Sequence, residues 1–281
     1  MLRDQTLDLL RRHGLTADAT QDEQQLVDPA VIAAMIEASG LQPTDTVLEV
    51  GPGAGNITVE LAKHAKKVYA IEKNPKFQPI LTERLAGTNA EVILADTLQI
   101  YLPQFDVLVS NLPYSIVEAM LQRLKRIHFR AASILVPISF ANTITAEKGT
   151  QFYTKLTLEA NLYYEVIQVS VVKQHSYDPS PKTETAHILL KTRRPRDDCE
   201  GVIWHLLQQG DKKLDNALRE ALIAQTTHGY PAIKKAAKEY IDKLQLDGAL
   251  LEKRVAALSL ADIEAIRSRL DEVAPQKLPS G

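Results

Sequence analysis

From Thr46 the chain falls into short apolar runs, "TVLEV", "KVYAIE", "EVILAD", "DVLVSN" and "ASILVPI", separated by segments of helical pattern such as "ITVELAKHA" and "FQPILTERLA". Runs that read as continuous Val, Ile and Leu, alternating with helices, predict a parallel sheet covered on both faces. Two later runs, "YYEVIQVSVV" and "TAHILLKT", lie close together with a loop between them, a spacing that favours an antiparallel edge hairpin over another crossover. Before Gly40 the pattern is helical: Leu2, Leu7, Leu9 and Leu10 make one stripe, and "DPAVIAAMIEASG" opens on an Asp-Pro start signal and stops at a glycine. Beyond "TRRPRDDCEG" only short helices are predicted, among them "IWHLLQQG", "KKLDNALREALIAQ", "AIKKAAKEYIDKLQ" and "ADIEAIRSRLDEV", and the tail "APQKLPSG" is expected to fray. The expected fold class is α/β: a Rossmann-like, doubly wound, mostly parallel sheet with an antiparallel edge hairpin over residues 1–195, and a small all-helical domain over 196–281.

Composition narrows the setting more than the function. With 281 residues, 45% hydrophobic and 24% charged, the chain can bury a sizeable core. A formal charge of −2 gives no overall basic signature, so a nucleic-acid partner would have to be held by local patches. Candidate patches are Arg123, Lys125 and Arg126; Lys191, Arg193, Arg194 and Arg196; and Lys212 with Lys213. The single cysteine, Cys199, excludes an internal disulfide, and no apolar run approaches membrane-spanning length. A cytoplasmic protein, monomeric and without a membrane partner, is expected. His64, His175 and Cys199 show no metal-ligand spacing, and no metal is expected.

The chemistry concentrates at the ends of four strands. In "VLEVGPGAGNIT", Glu49 precedes Gly51, Gly53 and Gly55 where a strand gives way to a helix. Glycines there allow positive φ and close backbone approach by a ligand. The segment could be a simple glycine-rich turn or a dinucleotide fingerprint, but the spacing is G-x-G-x-G, and a carboxylate at Glu49 repels a pyrophosphate while suiting a ligand that carries an ammonium group. That combination matches an S-adenosylmethionine site better than a nicotinamide site. Glu72 ends the second strand, where it can accept from ribose hydroxyls or simply be a solvated loop charge. Asp96 ends the third and is placed to accept from an adenine amino group; Asn111 ends the fourth.

Asn111 opens "NLPY". A purine amine is a weak nucleophile because its lone pair is delocalised into the ring, and acceptors aimed at its N–H bonds favour the tetrahedral geometry that attack requires. The Asn111 side-chain oxygen and the Leu112 carbonyl are candidate acceptors. Pro113 fixes the turn without an N–H of its own, and Tyr114 offers a face for an unstacked base.

"EVGPGAG", "IEKN", "LADTL" and "NLPY" resemble the rRNA adenine N6-dimethyltransferases, and the likeness runs along nearly the whole chain. "QQLVDPAVI" is similar to that family's leader, "SYDPSPKTETAHILL" to its Phe-x-Pro-x-Pro segment with Tyr177 at the Phe position, and "DKKLDNAL" and "KRVAALSLADIEAI" to the helical domain of its small-subunit branch, with an archaeal-like N-terminus. The resemblance implies S-adenosyl-L-methionine as cofactor, contacted by Gln24, Leu26, Gly51, Glu72, Asp96 and Asn111. It also places Tyr177 in the catalytic set, and it implies rRNA in the small ribosomal subunit as partner, with two adjacent adenines near the 3′ end as target. Three segments depart from the pattern: Asp22-Glu23-Gln24-Gln25-Leu26 where the leader usually reads Gly-Gln-Asn/His-Phe-Leu; "VPISFANTI" after the fifth strand; and "QQGDKKLDNAL", with Gly210, Asp211 and Asp215 at positions often basic or polar. These departures are expected to bear on RNA binding or substrate closure more than on the donor pocket. They keep open the alternative of a ribosome-assembly or nucleic-acid-binding factor with little catalysis.

Overall fold

A computed structural model describes residues 1–225 and 234–273. The expected frayed tail, 274–281, lies outside the described residues, as do the first two positions of the predicted helix "AIKKAAKEYIDKLQ". By contact the chain divides into two units, one formed by Met1–Phe152 with Tyr164–Thr192 and one by Tyr153–Tyr163 with the chain from Arg193 onward.

The first unit is built on a seven-stranded sheet. Its strands are β2 (Thr46–Val50), β3 (Lys67–Glu72), β4 (Ala90–Leu94), β5 (Val107–Asn111), β6 (Ala131–Pro137), β7 (Tyr164–Val172) and β9 (Thr185–Thr192), in the order β4-β3-β2-β5-β6-β9-β7. The first five in that order run parallel; β9 is antiparallel to both β6 and β7, which gives the expected edge hairpin. A separate two-stranded ribbon, β1 (Gln25–Leu26) with β8 (Tyr177–Asp178), is absent from the sequence reading. The helices are α1 (Leu2–Arg12), α2 (Pro29–Ser39), α3 (Asn56–His64), α4 (Gln78–Leu85), α5 (Val117–Leu124) and α6 (Ile138–Ile144).

Local chemistry sets these boundaries. The Asp28 side chain caps α2 by accepting from Ala30 N at 3.0 Å, Pro29 occupies the first turn, and Gly40 closes the helix at φ 63°. Val47, Leu48, Val107 and Leu108 at the centre of the sheet are fully buried, as two-sided coverage requires, whereas β4 at the edge is only half covered.

The chain winds outward from β2 in one direction through β3 and β4, and in the other through β5 and β6. That reversal opens a crevice at the carboxyl ends of β2 and β5, where ligands of such sheets bind. Paired register between these two strands covers only Val47↔Val107 and Leu48↔Leu108; further along, the Ser110 hydroxyl takes the Val50 carbonyl at 2.6 Å.

The second unit is helical: α7 (Lys155–Tyr163), α8 (Asp198–Leu207), α9 (Leu214–Ala224), α10 (Lys234–Leu244), α11 (Gly248–Leu251) and α12 (Leu260–Val273). The α7 helix, missing from the sequence reading, packs on α8; Tyr163 Oη donates to the Trp204 carbonyl at 3.0 Å. Glu200, whose side chain is 2% exposed, pairs with Arg193 at 2.9 Å and with Arg196 at 3.0 Å. Burial pushes its carboxyl upward, but the arginine bonds and the Arg196 backbone N–H outweigh this and hold its pKa down to about 2. Among the described residues no helix is long and apolar enough to cross a membrane.

Candidate active site

The crevice holds a cavity of about 440 Å³, within the range of small-molecule sites. Four neighbouring strand ends contribute to it. From β2 and the turn that follows come Glu49, Gly51 and Gly53; from β3, Glu72; from the loop beyond β4, Asp96; from β5 and its turn, Asn111 and Pro113; and from the leader, Gln24 and Leu26. Asp96 lies two residues past the end of β4 rather than on it.

The glycine turn is a backbone cradle. Gly51, Gly53 and Gly55 all have positive φ, at 71°, 53° and 80°. A Cβ at Gly51 would lie 3.0 Å from Pro113, and one at Gly53 2.5 Å from the end of the Gln25 side chain, so a substituent crowds both positions in addition to straining their backbone. Gly55 caps α3 and turns away from the cavity wall. Arg84 braces the loop from outside, donating to the Ala54 carbonyl at 2.7 Å and to Asn56 Oδ1 at 2.5 Å.

Four polar side chains then define the chemistry. Glu49 is 1% exposed, and its Oε2 has no hydrogen-bond partner. Burial dominates and raises its pKa to about 8, with the Glu72 charge adding to the shift and the Thr58 hydroxyl and Arg84 opposing it. The Glu72 carboxylate accepts from Gly53 N at 3.1 Å and Asn74 N at 2.7 Å; burial shifts it upward despite those bonds. Asp96 is held below the usual carboxylate range, first by Lys73 at 3.0 Å and then by the Leu98 N–H, so it is an anionic acceptor at neutral pH.

Asn111 donates from Nδ2 to the Gln24 carbonyl at 3.2 Å, which leaves its buried Oδ1 without a partner. A buried amide oxygen with no donor is costly unless a ligand supplies one.

The remaining candidates are not among the residues that line the cavity. Leu112 is buried, with its N–H on the Leu135 carbonyl. Tyr114 is partly exposed, but its hydroxyl is buried without a partner, and burial, with Asp22 second, raises its pKa. Tyr177, expected among the catalytic residues, is not on the cavity wall. It is fully buried in the core, paired across the ribbon with Leu26, and its hydroxyl bonds Thr185 at 2.5 Å.

Sequence reasoning named Gln24 and Leu26 of the leader but missed their neighbours Asp22, Glu23 and Gln25. Gln21 to Leu26 all line the cavity, so the leader departures lie on its wall. Gln25 accepts from Ala54 N at 2.8 Å, and Asp22 accepts from Ser115 N at 2.9 Å. Their unusual identities were the available signal.

The family model for ribosomal RNA adenine dimethylase matches residues 18–250. The chain belongs to this family. A curated relative from Methanothermobacter thermautotrophicus, named "Probable ribosomal RNA small subunit methyltransferase A", is 31% identical over 96% of each chain. Another from Dictyostelium discoideum, "Probable dimethyladenosine transferase", is 29% identical over 93% of this chain and 91% of its own. Among solved structures, a dimethyladenosine transferase from Plasmodium falciparum (TM-score 0.60, 25% identity, 88% of this chain and 97% of that one) and the 23S rRNA methyltransferase ErmE (TM-score 0.59, 25% identity, 88% and 99%) share the fold.

This rRNA adenine dimethylase is an S-adenosylmethionine-dependent enzyme. The residues present fit that donor. An unpartnered, buried Glu49 oxygen suits a cationic ligand, glycines clear space for close approach, and carboxylates from β3 and the β4 loop supply acceptors for hydroxyl and amino groups. Bound there, the donor supplies an electrophilic methyl group.

Proposed function

We propose that this dimethylase acts on two adjacent adenines near the 3′ end of small-subunit rRNA, as a cytoplasmic monomer. The small-subunit assignment rests on relatives of that name that match almost end to end, the helical C-terminal region included. The single cysteine, Cys199, is buried and fits a reducing compartment.

One observation carries the chemistry: the buried, unpartnered Oδ1 of Asn111, a residue that lines the cavity, its amide held from the other end by the Gln24 carbonyl. In this reading Asn111 Oδ1 and the Leu112 carbonyl accept the two N6–H bonds of the target adenine. They draw the amine toward tetrahedral geometry and stabilise the positive charge that develops on nitrogen. No strong base is needed, since the methylated amine is acidic and water can take its proton. Pro113 keeps the turn free of a competing N–H, and the Tyr114 ring supports the unstacked base. Glu72 accepts from the donor's ribose hydroxyls, Asp96 from its adenine amino group, and Glu49 faces its positive charge, while Gln24 and Leu26 wall the pocket. Tyr177 supports the leader from the core and takes no part in transfer. Most of the rate comes from holding amine and methyl group in line.

The test is to incubate the protein with labelled donor and undermethylated small subunits, naked small-subunit rRNA or large-subunit rRNA, and to map the modified bases. Label on two neighbouring adenines near the small-subunit 3′ end is expected; label confined to large-subunit rRNA, or none, overturns the assignment.

A further inference from the structure

The leader turn is strained at one residue. Asp22 has φ 58° and ψ 32°, a left-handed conformation that disfavours any residue with a Cβ, at the position where the leader pattern has glycine. Strain of this kind persists where the surroundings gain something from the side chain. Here the gain is visible: Asp22 Oδ2 accepts from the Ser115 N–H at 2.9 Å across 93 residues of sequence. Ser115 N belongs to the short turn Tyr114–Ile116 that runs directly into α5, one of the opening N–H groups with no acceptor inside the helix. An anionic acceptor is favoured there by both charge and hydrogen bonding.

Two neighbouring links make the contact more than a local cap. Two residues on, the Gln24 carbonyl accepts from Asn111 Nδ2, the bond that fixes the Asn111 amide. Between them Glu23 is pinned to the opposite wall, accepting from Asn74 Nδ2 at 2.9 Å and Lys76 Nζ at 2.6 Å. The leader therefore grips the first residue of "NLPY" and the residue that follows it, while anchored to the loop after β3. Glycine at residue 22 would relax the backbone but remove one of the two grips.

We propose that Asp22 is a positioning residue for methyl transfer: by holding the Ser115 N–H it fixes the turn that carries the Asn111 and Leu112 acceptors. This rests on the reading of those acceptors given above. Asp22 touches neither reacting atom in this role.

The experiment compares full-length wild type with Asp22→Gly and Asp22→Asn. Readouts are single-turnover methylation on undermethylated small subunits, donor affinity by calorimetry, thermal unfolding, and amide exchange of peptides spanning residues 111–117. Asp22→Gly should keep or raise Tm, because strain is relieved, and keep donor affinity. Its single-turnover rate should nevertheless fall about 10- to 100-fold, the scale for a small misplacement of reacting groups, with faster exchange across 111–117. Asp22→Asn retains an acceptor oxygen and should recover most of the rate and the slow exchange. A purely structural role predicts that rate follows Tm instead. The proposal is overturned if Asp22→Gly keeps the wild-type single-turnover rate, if both variants lose the same activity, or if donor affinity falls with the rate. A wild type that methylates no RNA overturns the functional reading itself, and this role with it, whereas failure confined to the variants overturns only the role of Asp22.

Discussion

Replacing Glu49 by Gln tests the donor pocket through its protons. Glu49 is buried with an unpartnered oxygen and titrates at about 8, so at neutral pH the empty site is mostly in the neutral acid form. The donor brings two positive centres, a sulfonium and an ammonium, and binds best when the carboxyl is ionised. If binding drives that ionisation to completion, apparent affinity follows the ionised fraction of the free protein. That fraction rises from roughly 1% at pH 6 to about half at pH 8, a gain of roughly 50-fold or about 2.3 kcal/mol. Calorimetry at several pH values, in buffers of different ionisation enthalpy, should therefore show affinity climbing to pH 8, with about one proton released per donor at pH 7. Glu49→Gln should lose this component of the slope. The donor's own ammonium titrates identically with both proteins, so the difference between them isolates the carboxyl. The same substitution has a signature without ligand. A folded pKa raised from 4.5 to about 8 leaves stability fully present below pH 4.5 and erodes it as pH rises toward 8. Relative to Glu49→Gln, the wild type should lose about 1.4 kcal/mol per pH unit across that window. Identical pH slopes for the two proteins, in both binding and stability, would refute the reasoning.

Other perturbations probe separate links. Asn111→Ala removes one amine acceptor and should lower single-turnover methylation by about 10²–10³ while donor affinity changes far less; equal losses in both would make Asn111 a donor-binding residue only. Glu72→Ala should weaken S-adenosylmethionine binding by roughly 1.5–3 kcal/mol, the scale for hydrogen bonds to a charged acceptor, measured by calorimetry. His187 is fully buried, its Nε2 bonded to Ser133 Oγ at 2.7 Å, and burial lowers its pKa from 6.5 to about 4. Because the unfolded chain takes up the proton first, stability should fall as pH drops from 6.5 to 4, by up to about 3 kcal/mol, and His187→Gln should flatten that limb of a denaturation series. Naked rRNA should bind with a shallow salt dependence by filter binding, since several basic side chains already face carboxylates; a slope steeper than about −6 in log–log form would show many phosphate contacts instead.

The sheet was readable because a parallel strand covered on both faces has to be largely apolar, and "TVLEV", "DVLVSN" and "ASILVPI" are mostly Val, Ile, Leu and Ala. The turn residues were readable for a related reason: a positive φ at Gly51 and Gly53 leaves few residue types able to stand there. Elements without such a one-dimensional signature were missed. In α7, Thr157, Leu158, Glu159, Ala160, Leu162 and Tyr163 are all buried, so no polar face marks a helical period. The ribbon of β1 with β8 is two residues per strand, and only a pairing distant in sequence defines it.

Charge shows the same limit from the other side. Composition presents Arg193, Arg196, Lys212 and Lys213 as a basic reserve for RNA, but the fold commits them: the first two enclose Glu200, and the lysines meet Glu220 and Glu252 at 2.5 Å. The Glu200 cluster is buried on its acidic side, and breaking it would strand a charge, so a phosphate cannot take Arg193 cheaply. The lysine pairs are exposed, and a phosphate competes with their carboxylates for little loss. Acidic residues in the leader follow the opposite course. Asp22 and Glu23 look like losses of nucleic-acid affinity when charge is counted along the chain, yet in three dimensions they hold Ser115, Asn74 and Lys76 around the donor cavity. A charge count treats each ionisable residue as free to meet a partner from outside. Which ones are free is decided by contacts between residues far apart in the chain, and here those contacts tie the leader's acidic residues into the wall of the cavity.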